Sequence, residues 1–303
     1  MKKIILITIL IIFIPFIIVN LFIRTDEIKF YYVSNMVVRV KNEKTNTITE
    51  VPFEEYIKGV LAGEMPASFE LEALKAQAVA SRSYVLVKMN QNKDKDYDVV
   101  NTVSNQVYLT DDELKEKWKN DYVNKINKIK TAVLETKGEY LSYEGKVVEA
   151  LFFSTSTGQT ENSEEVFSSK IPYLRSVSST WDTSSPVFED TMVFELKDFY
   201  SKLNLKYQDK IEFVVLEKTS TGRIKTLKIN GQIFKGRDFA GKLSLRSNYF
   251  NIVQNNDKVT ITTKGFGHGV GMSQYGALGM AKEGYTYDKI LKHYYLNTEI
   301  KKI

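Results

Sequence analysis

The stretch VPFEEYIKGVLAGEMP, residues Val51–Pro66, holds a helix start, a buried face and a forced stop in one short span. Pro52 opens the helix, because its fixed φ suits a first turn whose N–H groups have no helical partner anyway. Phe53, Tyr56, Ile57, Val60 and Leu61 then recur at helical spacing, and Glu54 and Glu55 sit in the first turn, where the dipole favours acids. Pro66 ends it, since the residue before a proline is driven out of the helical region. Glu64 is therefore left in the last turn, at the negative end of the dipole. Partial burial there beside Met65 would raise its pKa, as a general acid requires. An exposed helix-terminal glutamate has the same local sequence, and both readings stand at this point.

Upstream, Val37–Val40 and Thr47–Val51 read as a hairpin around the polar Asn42–Asn46 turn. Further back, Ile4–Ile23 is interrupted only by Thr8, Pro15 and Asn20, long enough to span a bilayer. Lys2 and Lys3 precede it and no small-x-small cleavage triplet follows, so the pattern predicts an uncleaved anchor with its amino end in the cytoplasm. The expected organisation is an anchor over 1–24, a linker over 25–36 and an exported unit over 37–303.

Downstream, the sequence predicts a helix over Phe69–Met89 with Ser68 as N-cap, and its alanines at 73, 76, 78 and 80 imply close packing. A longer, lysine-rich helix is expected over Asp111–Glu135, closing at Gly138. Strands follow over Glu139–Phe153 around Glu144-Gly145, then at Thr191–Glu195, Ile211–Leu216, Ile224–Ile229, Asn248–Val253 and Val259–Thr263, with Asn230-Gly231 as a hairpin turn. Short helices are expected at Asp198–Leu203 and Arg237–Leu245, and a pair at Gln274–Lys282 and Tyr287–Tyr295. The order is α+β, mixed helices and short strands in one exported unit, with room for two lobes around a cleft, and not an alternating βαβ sheet.

Composition narrows the chemistry. The 303 residues are 43% apolar and 26% charged, ordinary for a globular chain. The absence of cysteine excludes disulfides, thiolate nucleophiles and thiolate metal sites, and two histidines, His268 and His293, exclude a histidine-rich metal centre. Forty-two Lys and Arg against 37 Asp and Glu give +5, which suits a polyanionic surface without arguing for nucleic acid.

Three further stretches carry polar groups worth placing. Lys75 and Arg82, seven apart on the second helix, reach one surface, where they could hold an anionic ligand or simply be solvated. Ser83 and Tyr84 adjoin Arg82. The apolar run Leu151–Phe153 ends abruptly in Ser154, Thr155 and Ser156, either a binding edge or a self-satisfied turn, with no nucleophile elbow around either serine. Gly265–Ala277 places glycines at 265, 267, 269 and 271, with His268 among them and Ser273 as a natural N-cap for the helix that follows. It matches neither a phosphate loop nor a dinucleotide fingerprint.

Together, Val51–Pro66, Glu72–Tyr84 and Gly265–Ala277, with Gly279-Met280-Ala281 and His293-Tyr294-Tyr295, resemble the stage II sporulation protein D family over nearly all of the chain from Val37. The resemblance implies a lytic transglycosylase that cleaves the β-1,4 bond between N-acetylmuramic acid and N-acetylglucosamine in peptide-stripped peptidoglycan, leaving 1,6-anhydromuramic ends. It implies Glu64 as catalytic acid and base, and Arg82 as the family's arginine, contacting ligand or supporting activation of an amidase. Lys75, Ser83, Tyr84, Ser154, His268, Ser273, Gln274 and Tyr275 are the remaining candidates for binding substrate. It further implies partnership with the sporulation amidase, stage II sporulation protein P, and with stage II sporulation protein M, at the membrane of the engulfing mother cell. Some members hold zinc through His and Cys in the region of Phe153–Asn162; Phe153, Ser154 and Ser156 stand there instead, so no metal or other cofactor is expected. The rival reading is a non-catalytic amidase enhancer of the same superfamily, and a third is a passive wall-binding scaffold.

Overall fold

The computed structural model describes Ile11, Phe13, residues 26–30 and residues 35–303. The expected anchor over 1–24 lies almost wholly outside the described residues, among which no helix is long and apolar enough to cross a membrane.

The hairpin forms as expected, β1 (Val37–Lys41) against β2 (Ile48–Pro52), with β3 (Val99–Val100) parallel on the other edge of β1. Helix α1 (Phe53–Glu64) leaves directly from β2 and is buried on almost every side, packing against α2 (Leu71–Gln91). Phe53, Tyr56, Ile57, Val60 and Leu61 are all buried, each contributing roughly 1.5–3 kcal/mol. The α2 helix starts two residues later than Phe69, and its N-cap is Glu70, with no side-chain cap, rather than Ser68. Ser68 is instead exposed in the turn after Pro66, whose carbonyl accepts from the Phe69 N–H.

The long polar helix is two helices. A Thr110–Glu113 capping box starts α3 (Asp111–Trp118), Lys119 turns with φ +49°, and a short 3-10 turn leads into α4 (Tyr122–Glu135). In one straight helix Leu114 and Tyr122 would point about 80° apart; the break lets both reach the core. Next come β4 (Glu139–Tyr143), β5 (Lys146–Val147), β6 (Phe152–Phe153) and the single turn α5 (Ser163–Val166).

Residues 189–264 then form a lobe with its own core. It contains β7 (Glu189–Glu195), α6 (Leu196–Leu203), β8 (Phe213–Lys218), β9 (Ile224–Ile229), β10 (Gln232–Lys235), α7 (Gly236–Lys242), β11 (Phe250–Asn255) and β12 (Lys258–Lys264). Two three-stranded sheets, ordered β10-β9-β8 and β11-β12-β7, enclose Phe199, Leu227, Ile229, Phe239 and Ile261. The Asn230-Gly231 turn joins β9 to β10 with positive φ at both residues, as the sequence predicts. The chain returns to the body through β13 (Met272–Ser273), α8 (Gln274–Lys282), α9 (Tyr287–Tyr294) and β14 (Glu299–Lys302), which pairs with β4. The two-lobe reading of the exported unit is thus a body core and a separate inserted core.

Candidate functional site

Glu64 is the last residue of α1, and Met65 leaves the helix in an extended conformation ahead of Pro66. The Val107 N–H donates to its Oε1 (2.6 Å). Among the described residues it has no cationic partner, so burial dominates and pushes its carboxyl up to about 7, the Val107 bond pulling weakly the other way. The approach is close: a Cβ at Gly63 would overlap the Val107 carbonyl oxygen, which is why glycine precedes the acid. Tyr56 donates to Gln106 (3.1 Å) and Asn105 donates to Tyr84 (3.0 Å), which fixes the segment carrying the Val107 amide.

The glycine-rich segment arrives from the far end of the chain. Thr155 and Phe266 exchange backbone hydrogen bonds, the Glu161 N–H donates to the Gly269 carbonyl, and β13 pairs in parallel with β6, Met272 opposite Phe152. Glycines 265, 267, 269 and 271 all have positive φ, and at Gly271 a Cβ would run into the Leu151 carbonyl oxygen. Ser273 then caps α8 by accepting from the Gly276 N–H (3.3 Å), and Gln274 turns its Nε2 onto the Glu64 carbonyl oxygen (3.1 Å) and Gln77 Oε1 (3.4 Å). An unpaired carbonyl at the end of α1 is thereby satisfied by a residue 210 positions away.

These segments enclose a cavity of about 590 Å³. Of the expected site residues, Glu64, Tyr84, Ser154, His268 and Gln274 line it. His268 lies between the rings of Phe153 and Phe167. Burial, reinforced by Arg223 and Arg237, lowers its pKa to about 4, so the imidazole is neutral at ordinary pH, with Nδ1 accepting from the Val270 N–H (3.1 Å).

The other candidates are placed elsewhere. Arg82 is fully buried, bonding Glu54 through Nε and Nη2 (2.8–3.1 Å), the Thr136 hydroxyl (3.1 Å) and the Val133 carbonyl (2.9 Å). Lys75 pairs with Glu72 (2.7 Å) and Glu135 (2.5 Å). Both cations do reach one surface, as their spacing requires, but that surface is the carboxy end of α4, whose carbonyls and dipole attract cations. Ser83 is buried, donating to the Val79 carbonyl and accepting from the Leu141 N–H (both 2.8 Å). Ser273 is buried, donating to Asp182 (2.5 Å), and Tyr275 packs edge-on against Phe69. Asp182 also accepts from Ser179 (2.5 Å) and from both the hydroxyl (2.7 Å) and N–H (3.0 Å) of Ser156, so Ser156 is bound into a buried cluster while Ser154 is left on the cavity wall. His293 donates through Nε2 to the Ser178 carbonyl (2.7 Å) beside Trp181.

Three parts of the cavity wall carry no sequence signal. Glu149 is held by Lys88 (2.5 Å), the Val103–Asn105 segment is an irregular loop, and Arg237 comes from α7 of the inserted lobe, donating to the Val166 carbonyl (3.0 Å). The lobe is tied down by Arg223, which donates to the Gly267 carbonyl (2.9 Å) and pairs with Glu161 (3.3 Å), both side chains fully buried.

Residues 41–143 match the family model described as Stage II sporulation protein. The chain is 44% identical over 280 residues to Stage II sporulation protein D of Bacillus subtilis, covering 91% of this chain and 81% of that protein. It is also 44% identical over 269 residues to Stage II sporulation protein D of Bacillus amyloliquefaciens, covering 87% and 78%. It is 30% identical over 299 residues to the Amidase enhancer of Bacillus subtilis, covering 80% of this chain and 40% of that protein.

Proposed function

Because the chain belongs to the stage II sporulation protein D family, we propose that it is a lytic transglycosylase cutting peptide-stripped peptidoglycan during sporulation, with Glu64 as its acid and base. The observation that carries the reading is a partly buried carboxyl held near neutrality on the wall of a cavity, without a cationic partner among the described residues. A hydrolase of the usual kind needs two carboxyls. Glu149, the other acid on this wall, is neutralised by Lys88, which leaves Glu64 to serve twice. Its protonated carboxyl gives a proton to the glycosidic oxygen as the bond to the muramic anomeric carbon breaks. The resulting carboxylate then takes the proton of the muramic 6-hydroxyl as that oxygen bonds to the same carbon. No water is consumed, and the proton inventory of Glu64 is restored. Oε1 is occupied by Val107, so Oε2 is the oxygen that faces this exchange.

Neutral His268, Tyr84, Ser154 and Arg237 supply polar groups around the sugar. The apolar run over 4–23 would anchor the chain in the membrane with 37–303 outside, where the sporulation amidase and stage II sporulation protein M are its expected partners. Purified protein incubated with peptide-free glycan is expected to release products with 1,6-anhydro ends by mass spectrometry, and Glu64→Gln to release none. Reducing ends in place of anhydro ends would replace the proposal with hydrolysis.

The likeness to a protein named Amidase enhancer favours a second activity, stimulation of an amidase. It is separable from the first: stimulation that survives Glu64→Gln is an activity of the surface and not of the carboxyl.

A further inference from the structure

Glu64 lines two depressions. Besides the cavity already described, a groove of about 450 Å³ runs past residues 62–68 and is walled on its far side by Lys117, Trp118 and Lys125. Each volume is within the roughly 300–1,000 Å³ range of small-molecule sites, and a polymer cut at Glu64 must continue on both sides of the cut. The break between α3 and α4 builds the far wall. Lys119, at φ +49°, ends α3 at Trp118, and α4 resumes so that Lys125 faces the same groove.

The wall has a distinct chemistry. Trp118 is partly exposed, a flat apolar surface of the kind on which sugar rings lie. Lys117 is exposed and makes no ion pair among the described residues. Among the described residues Lys125 pairs with Asp121 alone (3.1 Å), one turn away and solvent-exposed, a pairing worth little. Among the described residues no acid but Glu64 lines the groove, whereas the first cavity carries Arg237 together with Glu149, which is paired with Lys88. Two cations without a committed partner have nothing to recognise in a neutral amino-sugar chain. They suit a chain with a carboxylate on alternate sugars.

We propose that Lys117, Trp118 and Lys125 form a second substrate subsite, stacking one sugar on Trp118 and pairing the lysines with a free carboxylate carried on the lactyl ether of that or the adjoining sugar. This deepens the transglycosylase reading and rests on it. While the lactyl group is joined to a peptide its carboxylate is an uncharged amide, so these three residues would be the ones that read the peptide-stripped state already assigned to the substrate. Neither lysine is among the groups that set the Glu64 proton, so replacing them changes recognition and leaves the acid alone.

The test is calorimetric binding to the full-length Glu64→Gln protein in low and moderate salt. Three tetrasaccharide probes are used: alternating N-acetylglucosamine and N-acetylmuramic acid with free carboxylates, the same compound with those carboxylates converted to amides, and chitotetraose. The free-acid probe is expected to bind about tenfold tighter than the other two, with the margin shrinking as salt rises. Lys117→Ala with Lys125→Ala is expected to erase the margin, Lys117→Arg with Lys125→Arg to keep it, and Trp118→Ala to weaken all three probes by severalfold. Equal affinity for the three probes, or a margin that survives loss of both lysines at an unchanged Tm, overturns the subsite. Failure of the catalytic reading would appear instead as turnover of glycan by the Glu64→Gln protein, which this ratio of affinities does not measure.

Discussion

Helix α1 carries a carboxylate near each end, and the fold treats them oppositely. Glu54, in the first turn, lies at the positive end of the dipole, is gripped by Arg82 Nε and Nη2, and also accepts from the Gly138 N–H (3.0 Å). Glu64, in the last turn, lies at the negative end and is given one backbone N–H. The first is a buried charge fully answered by its surroundings, so it joins α1, α2 and the end of α4 and has no capacity left for a ligand. The second is answered only in part, and the deficit keeps a proton on it near pH 7. Burial is common to both; the presence of a partner separates structure from chemistry.

The sharpest way to break this contrast is to neutralise each acid. Glu64→Gln is expected to lower the rate of anhydro-product release by about 10³-fold or more, within the range general acid–base groups supply, while circular dichroism and Tm show an intact fold. Arg82→Ala is expected to do the reverse. It strands the Glu54 carboxylate and should cost about 3–5 kcal/mol of stability in denaturant unfolding, with activity lost in proportion to the folded fraction. A stable Arg82→Ala protein with selectively lost amidase stimulation would refute this account, since a side chain with no exposed surface cannot itself touch a partner.

The pH dependence sharpens the contrast further. Glu64 titrates near 7 when folded against 4.5 for an ordinary glutamate, so the folded state holds the extra proton between those values and stability declines as pH rises through them. The decline is on the order of 3 kcal/mol. Glu64→Gln lacks this proton, so the variant should gain on the wild type from pH 4.5 to 8 in paired Tm measurements. Cleavage, which needs the protonated acid, should fall along a single limb near pH 7, because His268 is already neutral above about 4.

What the sequence made legible follows the range of the interactions involved. The α1 helix, its stop at Pro66, the hairpin turns and the Ser273 cap are local, and all are where their residues place them. Glu64 is legible as a candidate because dipole and break are local too, but the Val107 amide and the Gln274 side chain that meet it come from elsewhere in the chain. Arg82 read as a ligand contact for the same reason: nothing near it in sequence announces that Thr136 and Val133 return to meet it. Helical periodicity is blind to one residue of positive φ, so it shows neither the break at Lys119 nor the placement of Trp118 that follows from it. Arg237 was out of reach because only the tertiary placement of the inserted lobe brings it to the cavity.

The smallest expected effect tests whether Gln274 merely closes a helix end or also keeps Glu64 dry. Removing a neutral hydrogen bond to the Glu64 carbonyl costs about 1 kcal/mol of stability whichever is true, so a Tm shift for Gln274→Ala decides nothing. The pH limb does decide. Gln274 lies on the cavity wall beside the acid, and its truncation opens that side of Glu64 to water, which favours the charged carboxylate. The limb near pH 7 should then move toward 4.5 and the rate at neutral pH should drop by about tenfold, with KM little changed. A limb that stays near 7 with a reduced maximal rate would make Gln274 a cap alone. The burial that raises Glu64 would then be the work of α1, Met65 and the Val107 segment without the carboxy-terminal motif.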